Sequence, residues 1–335
     1  MYDLRRLRLL RELKHRGTLA AVAAALSYSP STVSQQLAQL EAEAGVPLLE
    51  PVGRRVRLTA QAEILVAHTE ALLERMERAE ADIAASLTEL TGTLRVAAFQ
   101  TAALALVPAA LTSLRAAHPR LRVHVTQLEP EAALPALLAR DFDLVVAEEY
   151  PGGAGPRSDV LERQELCRDP LRLAVPGPSR DLDPRSLSGH PWVMEPEGTA
   201  ARRWATTVCR EAGFEPDVRY ESADLLVHLR LAERGHAAAF LPDLVWGAGP
   251  FSAEPAAPTV ALRDLPPGLG ARRIFTVVRR GGGGRPAVTA ARQALRVAAQ
   301  TPGPRASESR ASGPRASGPR ASSAASTSAG SARSA

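Results

Sequence analysis

The chain has 335 residues, 45% of them hydrophobic and only 4% aromatic, with a formal net charge of +5; that length allows two or three domains with real cores, built mostly from Leu, Val and Ala. Two cysteines, Cys167 and Cys209, with no CxxC or Cys/His cluster, exclude a zinc site and a disulfide framework, which leaves two buried thiols as the plain expectation and a redox pair as the alternative. The N-terminal MYDLRRLRLLRELKHRG is too charged for a signal peptide and no apolar run is long enough to span a membrane, so a cytoplasmic protein is expected.

Charge is spread unevenly. Residues 1–58 hold nine basic and five acidic side chains, residues 59–92 two basic and seven acidic, and the last 35 residues five Arg and one Glu. Basicity is therefore partly a property of the tail, and alone argues weakly for nucleic acid.

Leu4, Leu7, Leu10 and Leu13 recur every three residues among Arg5, Arg6, Arg8 and Arg11, which predicts a short amphipathic helix with a basic outer face. Gly17 ends it. Thr18 caps a second helix bearing Leu19, Val22, Ala23 and Leu26. Ser27 and Tyr28 form a tight turn, Ser29 is an N-cap, and Pro30 takes the first helical position, where its missing N–H is harmless. The third helix places Val33, Leu37, Leu40 and Ala44 on one face. Ser31, Gln35 and Ala38 point the opposite way, flanked by Thr32, Ser34 and Gln39, with Gln36 beside them. Gly45 stops it. Two helices joined by a short turn, the second with an outward polar tip, form a helix-turn-helix pattern.

In EPVGRRVRLT, Val52-Gly53 reads as a hairpin turn with Arg54, Arg55 and Arg57 at or beyond it, a basic wing suited to phosphates or a minor groove. From Thr59 to about Leu90 there is no Pro or Gly. Leu65, Leu72, Ala79 and Ser86 repeat every seven residues, as do Thr69, Met76, Ile83 and Leu90. That is a loose coiled-coil seam about 48 Å long, for which a partner helix is expected, a helix lying on the chain's own domain being the alternative.

Strands and helices then alternate: Leu94–Phe99, a helix over 103–117, Leu121–Gln127, a helix over 131–140 and Asp143–Ala147. A Gly/Pro-rich break lies at 151–156. A second set follows: Leu171–Val175, Trp192–Met194, a helix over 199–213, Val218–Glu221, a helix over 224–234, Ala237–Leu241, Ile274–Arg279 and a helix over 285–300. The alternation predicts an α/β domain with a parallel sheet covered by helices. From Thr301 the composition turns to Gly, Pro, Arg, Ala and Ser, with GPRAS at Gly303, Gly313 and Gly318, which predicts a disordered tail. Signals for catalysis are missing: no HExxH spacing, no GxSxG, and no Lys-Ser/Thr after Gly281–Gly284 to make a Walker loop. A non-enzyme, with no cofactor, is expected.

The stretch GTLAAVAAALSYSPSTVSQQLAQLEAEAGVPLLE…GRRVRLTAQA resembles the LysR-type transcriptional regulators. Gly17-Thr18, Ala24-Ala25-Leu26, Ser29-x-Ser31-x-Val33-Ser34, Leu40-Glu41, Gly45-Val46-x-Leu48 and Arg55-x-x-Leu58-Thr59 carry the likeness. Weaker echoes follow in Leu106-Val107-Pro108, His118-Pro119, Asp141-x-Asp143-Leu144-Val145-Val146 and Gly235-x-Ala237-Ala238-x-x-Leu241-Pro242. Gln35 stands where the family often has Arg, Leu49 for Phe, Pro51 for Arg and Ala62 for Gly, so weaker phosphate attraction is expected.

The resemblance implies a winged helix-turn-helix over 1–58, a linker or dimerisation helix over 59–90, and a two-lobed periplasmic-binding-protein-like effector domain over 91–300. Lobe I would take about 91–155 and 272–300, lobe II about 156–271. It further implies a dimer or tetramer on inverted-repeat double-stranded DNA, with RNA polymerase as a candidate contact and no membrane. Ser31, Thr32, Ser34, Gln35, Gln36 and Gln39 would face a major groove, where Gln pairs bidentately with adenine and Ser or Thr accepts several partners, while Arg54, Arg55 and the first helix supply charge. The effector would sit between the lobes, at strand ends and helix N-termini: Gln100, Thr101, Glu148, Glu149, Glu195, Thr199, Ser222 and Asp224. That acid-rich rim favours a cationic or polar effector, such as an amine or a basic amino acid. The competing readings are a metabolite-binding protein with vestigial DNA contact and a low-specificity DNA binder that uses its Arg tail.

Overall fold

The computed structural model describes residues 1–26, 28–53, 55–87, 89–153, 160–175, 187–246 and 260–300. Ser27, Arg54, most of the break after Gly153 and the 301–335 tail lie outside the described residues. Helix α1 (Leu4–Arg16) starts at Asp3, whose carboxylate accepts the Arg5 N–H, and ends at Gly17 with φ 75°. Helix α2 (Leu19–Leu26) follows with the Thr18 hydroxyl accepting the Ala21 N–H at 3.1 Å. Helix α3 (Pro30–Ala44) is capped by Ser29, which accepts the Thr32 N–H at 3.1 Å, and closes at Gly45 with φ 66°. Both glycines adopt the left-handed conformation that ends a helix at little steric cost.

Leu7, Leu10, Leu13, Val22, Val33, Leu37, Leu40, Leu48 and Val66 form one buried head core, each side chain contributing about 1.5–3 kcal/mol. The Leu40-Glu41 pair divides its labour. Leu40 enters the core, while Glu41 accepts the Leu48 and Leu49 N–H groups at 2.8 and 3.0 Å and ties α3 to the wing. Strands β1 (Leu49–Val52) and β2 (Arg55–Leu58) pair antiparallel around Gly53, φ 61°.

Helix α4 (Ala60–Ala85) begins at Thr59, which accepts the Ala62 N–H, and ends at Ser86, about 39 Å away and short of the expected Leu90. The heptad pattern divides between two surroundings. Ala62, Val66, Thr69, Glu77 and Ala81 are buried against the chain itself, whereas Ile64, Leu72, Met76 and Ile83 stay exposed. The alternative expectation, a helix lying on the chain's own domain, describes one face of α4, and an exposed apolar stripe runs along another.

The body contains β3 (Gly92–Ala98), α5 (Gln100–Ala105), α6 (Val107–Ala117), β4 (Leu121–Gln127), α7 (Pro130–Leu138), β5 (Leu144–Glu149), β6 (Leu161–Val175), β7 (Pro191–Met194), α8 (Ala200–Glu211), β8 (Asp217–Glu221), α9 (Leu225–Glu233), β9 (Ala239–Pro242), β10 (Ala261–Asp264), β11 (Ala271–Arg279) and α10 (Pro286–Gln300). The helix expected over 103–117 starts earlier and is broken at Leu106. The large sheet has the order β10-β6-β11-β5-β3-β4, with β9 also on β6. It is mixed rather than parallel: β3 pairs parallel with β4 and β5, but β11 and β6 run antiparallel. Crossover helices impose parallel neighbours around β3, β4 and β5, whereas β11 returns to β5 and β6 from far along the chain and is under no such constraint.

Strand β6 starts ten residues before its expected beginning at Leu171. Its first part, through Pro170, pairs with β11; from Leu171 it pairs with β9 and β10. One continuous strand thus belongs to both lobes. Lobe I buries Leu94, Val96, Phe99, Leu144, Ile274 and Leu295 on one face of the sheet and Leu137, Val145 and Phe275 on the other. Lobe II has its own core around Trp192, Trp204 and Phe240. No helix among the described residues is long and apolar enough to cross a membrane.

Candidate DNA-reading face and effector cleft

The α3 tip has the exposure that its composition suggested. Ser31, Ser34, Gln35 and Gln39 are exposed, with Thr32 and Gln36 half-buried. The Ser29 hydroxyl lies 2.8 Å from those of Ser31 and Thr32, so the first turn is a small hydroxyl cluster around the cap. Gln36 is held inward, its Oε1 accepting from Arg6 Nε at 3.0 Å. Ser34, Gln35 and Gln39 remain as outward donors and acceptors on a rigid helix whose opposite face is fully buried. Arg55 lies on β2, beside the turn.

The first helix presents little of the basic face expected of it, with Arg5 exposed but its other arginines engaged. Arg6 is engaged with Gln36 and Glu43. Arg8 donates to Ala139 O at 2.5 Å, Arg11 to Glu12 at 2.9 Å and Leu138 O at 3.3 Å, and Arg16 to Glu12 at 2.9 Å and Pro135 O at 3.5 Å. Three guanidinium groups thus meet the carbonyl end of α7, where a cation is favoured by the helix dipole. Periodicity showed that the arginines face outward from the leucines; it could not show that lobe I lies there.

The cleft is organised by a residue the sequence reading passed over. Arg272, fully buried on β11, donates through Nε to Asp169 at 2.9 Å, through one terminal nitrogen to Glu148 and to Tyr150 OH (3.2 Å), and through the other to Thr101 Oγ1 at 2.6 Å. Its guanidinium carbon lies 5.0 Å from the Phe99 ring centroid. Burial alone would lower its pKa; the negative partners outweigh that and raise it well above the ordinary value. The signal available was an arginine inside the strand sequence ARRIFTVVR, which needs a buried acid to exist there.

Burial pushes Glu148 up to about 7 against the pull of Arg272, and pushes Asp169 up as well. Glu195 is raised well above the carboxylate range by burial and by Glu148; Glu129 is raised by burial, with Glu131 adding to it. The acid rim therefore carries less charge near neutrality than its residue count suggests.

Other expected residues separate into groups. Thr101 and Glu148 join the Arg272 cluster. Glu149, the next residue along β5, points to the opposite face of the sheet and pairs with Arg163 and Arg273. Both glutamates lie within the strand, which runs two residues past its expected end. Thr199 caps α8, accepting the Arg202 N–H. Ser222 accepts the Asp224 N–H, and Asp224 caps α9. Gln100 spans the lobes: its Oε1 accepts the Leu225 N–H at 2.8 Å and its amide donates to Asp224. Glu131 crosses the same gap, accepting the Ala200 N–H at 3.0 Å. The lobes are thus latched at two helix N-termini, over a small cavity of about 20 Å³ lined by Tyr150, Glu195, Trp204 and His228.

Cys167 packs with the lobe I core and Cys209 with the lobe II core. Burial raises the thiols to about 11 and about 12, away from the thiolate form that reacts.

The family model described as a LysR substrate binding domain matches residues 87–300, and that of the bacterial regulatory helix-turn-helix proteins of the lysR family matches residues 4–63. The transcriptional dual regulator GltC of Bacillus subtilis is 26% identical over 246 residues, 72% of this chain and 81% of that protein. DgdR, a helix-turn-helix transcriptional regulator of Burkholderia cepacia, is 28% identical over 223 residues, 67% of this chain and 72% of that one. A probable hydrogen peroxide-inducible genes activator of Mycobacterium leprae is 28% identical, covering 68% and 74%. Among solved structures, a full-length OxyR variant from Pseudomonas aeruginosa superposes with a TM-score of 0.58 at 19% identity, over 89% of this chain and 95% of that one, and so shares the fold. With the head and the two-lobed body both matched, the chain belongs to the LysR family of bacterial helix-turn-helix transcriptional regulators, which bind DNA and carry a C-terminal domain for a small-molecule effector.

Proposed function

We propose that this regulator reads its operator through Ser31, Thr32, Ser34, Gln35 and Gln39 in a major groove, with Arg54 and Arg55 on the flanking backbone. Residues 1–58 act as the head, 59–90 as the linker and 91–300 as the effector domain, the lobes dividing within β6. The observation that carries the reading is the α3 tip: exposed, uncharged and hydrogen-bonding, on a helix fixed by Val33, Leu37 and Leu40. Such a face suits base edges better than phosphates. The exposed Leu72, Met76 and Ile83 on α4 support self-association, which would place two heads on an inverted repeat. The protein acts in the cytoplasm as a binder, not as an enzyme. Gel shifts on fragments from its own upstream region, with and without residues 301–335, test this. Specific binding that survives truncation is expected. Nonspecific, tail-dependent binding would favour the low-specificity reading, and no binding at low salt the vestigial one.

The effector class follows from the cleft. Arg272 is surrounded by its own partners and offers little to an anion. Glu195 and Glu129, with carboxyl pKa values raised by burial, would gain from a neighbouring cation. A cationic or polar effector, such as an amine or basic amino acid, is therefore favoured. Arginine, lysine and polyamines should raise the thermal midpoint, and no shift with any of them would count against this class. Peroxide sensing, which one relative's name suggests for that protein, finds no support in two protonated thiols in separate cores.

A further inference from the structure

The cavity beneath the two latches, about 20 Å³, has room for one group the size of a water. Tyr150, Trp204 and Phe240 wall it, the Trp204 ring centroid lying 5.3 Å from that of Tyr150 and 5.0 Å from that of Phe240. Among the described residues no Lys or Arg lines it; Glu195 is its acid and His228 its imidazole. Every lining residue is buried except Glu195, which is half-buried and so marks the mouth.

Two acceptors there are unfilled. His228, 2% exposed, is tied through Nε2 to the Ser222 carbonyl at 2.7 Å. A carbonyl only accepts, so the ring proton sits on Nε2; burial lowers the ring's pKa and keeps it neutral, which leaves Nδ1 a bare acceptor. Glu195 uses its backbone carbonyl for Arg202 at 2.9 Å, but its carboxylate has no partner among the described residues. Neither acceptor is walled in. Trp204 Nε1 is buried without a partner and sealed, whereas Nδ1 of His228 and the Glu195 carboxylate both keep accessible surface. Two open acceptors beside aromatic rings, with no cation among them, suit a small positively charged donor.

We infer that this cavity seats a primary ammonium group of the effector, which donates to the Glu195 carboxylate and to His228 Nδ1 while its carbon chain passes the mouth into the cleft. The inference rests on the cationic-effector reading above and narrows it. A space of about 20 Å³ admits an ammonium head, which is close to water in size, but neither the three methyl groups of a quaternary ammonium nor a planar guanidinium. In the empty site, burial and Glu148 raise the Glu195 carboxyl, Glu129 and Glu131 add to this, and Arg272 opposes it. An ammonium that pairs with the carboxylate therefore displaces its proton, and His228, already neutral, takes up none.

The test is calorimetric titration of the full chain with butylammonium, butyltrimethylammonium and butylguanidinium, three heads on one carbon chain, at matched ionic strength. Butylammonium is expected to bind at least about tenfold more tightly than the other two, the value of one charge-assisted hydrogen bond. Its binding should release about one proton, read from the dependence of the heat on the buffer, and should tighten between pH 6 and pH 8 while the amine itself stays charged. Glu195→Gln should weaken it about tenfold and abolish the proton release; the comparison of the three heads on the wild type stands if that variant fails to fold. Equal binding of either bulkier head would overturn the ammonium seat and leave the broader cationic reading in place. No binding by any of the three would overturn the seat whatever lysine or polyamines do to the thermal midpoint. Butylammonium affinity unchanged in Glu195→Gln would place the amine elsewhere on the acid rim and overturn the seat as well.

Discussion

Replacing Arg272 by methionine probes the cleft most sharply. The side chain remains long and apolar, but Glu148, Asp169, Thr101 and Tyr150 lose their common donor. Breaking a buried ion pair costs about 3–5 kcal/mol when the remaining charge stays buried. The carboxyls can escape by taking up protons, and that makes the cost depend on pH. Burial already raises Glu148 to about 7 and lifts Asp169, and Arg272 pulls both down; without it both rise further. A folded-state pKa above the unfolded value means that the native state holds protons the unfolded chain releases. Stability is then intact below the unfolded pKa, about 4, and falls as pH climbs toward the raised folded values, by about 1.4 kcal/mol per unit of displacement. Arg272→Met should therefore cost about 1–2 kcal/mol near pH 5, mainly lost hydrogen bonds, and about 3–5 kcal/mol near pH 8. Urea unfolding at both pH values measures it, and tryptophan fluorescence reports on the right region because Trp192, Trp204 and Trp246 all lie in lobe II. Equal losses at the two pH values, or a loss below about 1 kcal/mol near pH 8, would refute the ion cluster as the organiser of the cleft.

Further consequences can be measured separately. Ser29→Ala removes the acceptor for the Thr32 N–H and should destabilise the head by about 1 kcal/mol, read as a lower unfolding midpoint. Leu72→Glu with Met76→Glu puts charge on the exposed α4 stripe; sedimentation should show a smaller assembly with an unchanged circular dichroism spectrum. Cys167 and Cys209, with thiols near 11 and 12, should react slowly with a thiol reagent near pH 8 until urea is added, and peroxide should leave DNA binding unchanged. Rapid labelling of the native protein would contradict their assignment to the two cores.

The helix ends and the wing turn of the head were legible because their signals are local. Thr18 and Ser29 cap the helices they precede, Gly17 and Gly45 end helices with positive φ, and Gly53 turns the wing. The body was legible as alternating elements, but not in its pairing. The first half of β6, LERQELCRDP, is polar and only half-buried, so nothing in its composition marks a strand until β11 lies beside it. Glu148 and Glu149 look alike in sequence; a two-residue extension of β5 puts them on opposite faces. Arg272 acquires its role only from Asp169, Glu148 and Thr101, which lie 103, 124 and 171 positions away. Arg8 and Arg11 of α1 read as part of a free basic face because no periodicity reveals a docking partner more than a hundred residues distant.

Selection of operators from randomised duplexes by the wild type, Gln35→Ala and Ser31→Ala addresses the reading face most directly. The wild type should return an inverted repeat of fixed spacing. Each variant should keep that spacing and its thermal midpoint while relaxing the choice at one base pair per half-site, by about 1–3 kcal/mol where Gln35 loses a bidentate contact and by less where Ser31 loses a single hydrogen bond. Identical operators from all three proteins would contradict base recognition by the exposed tip of α3.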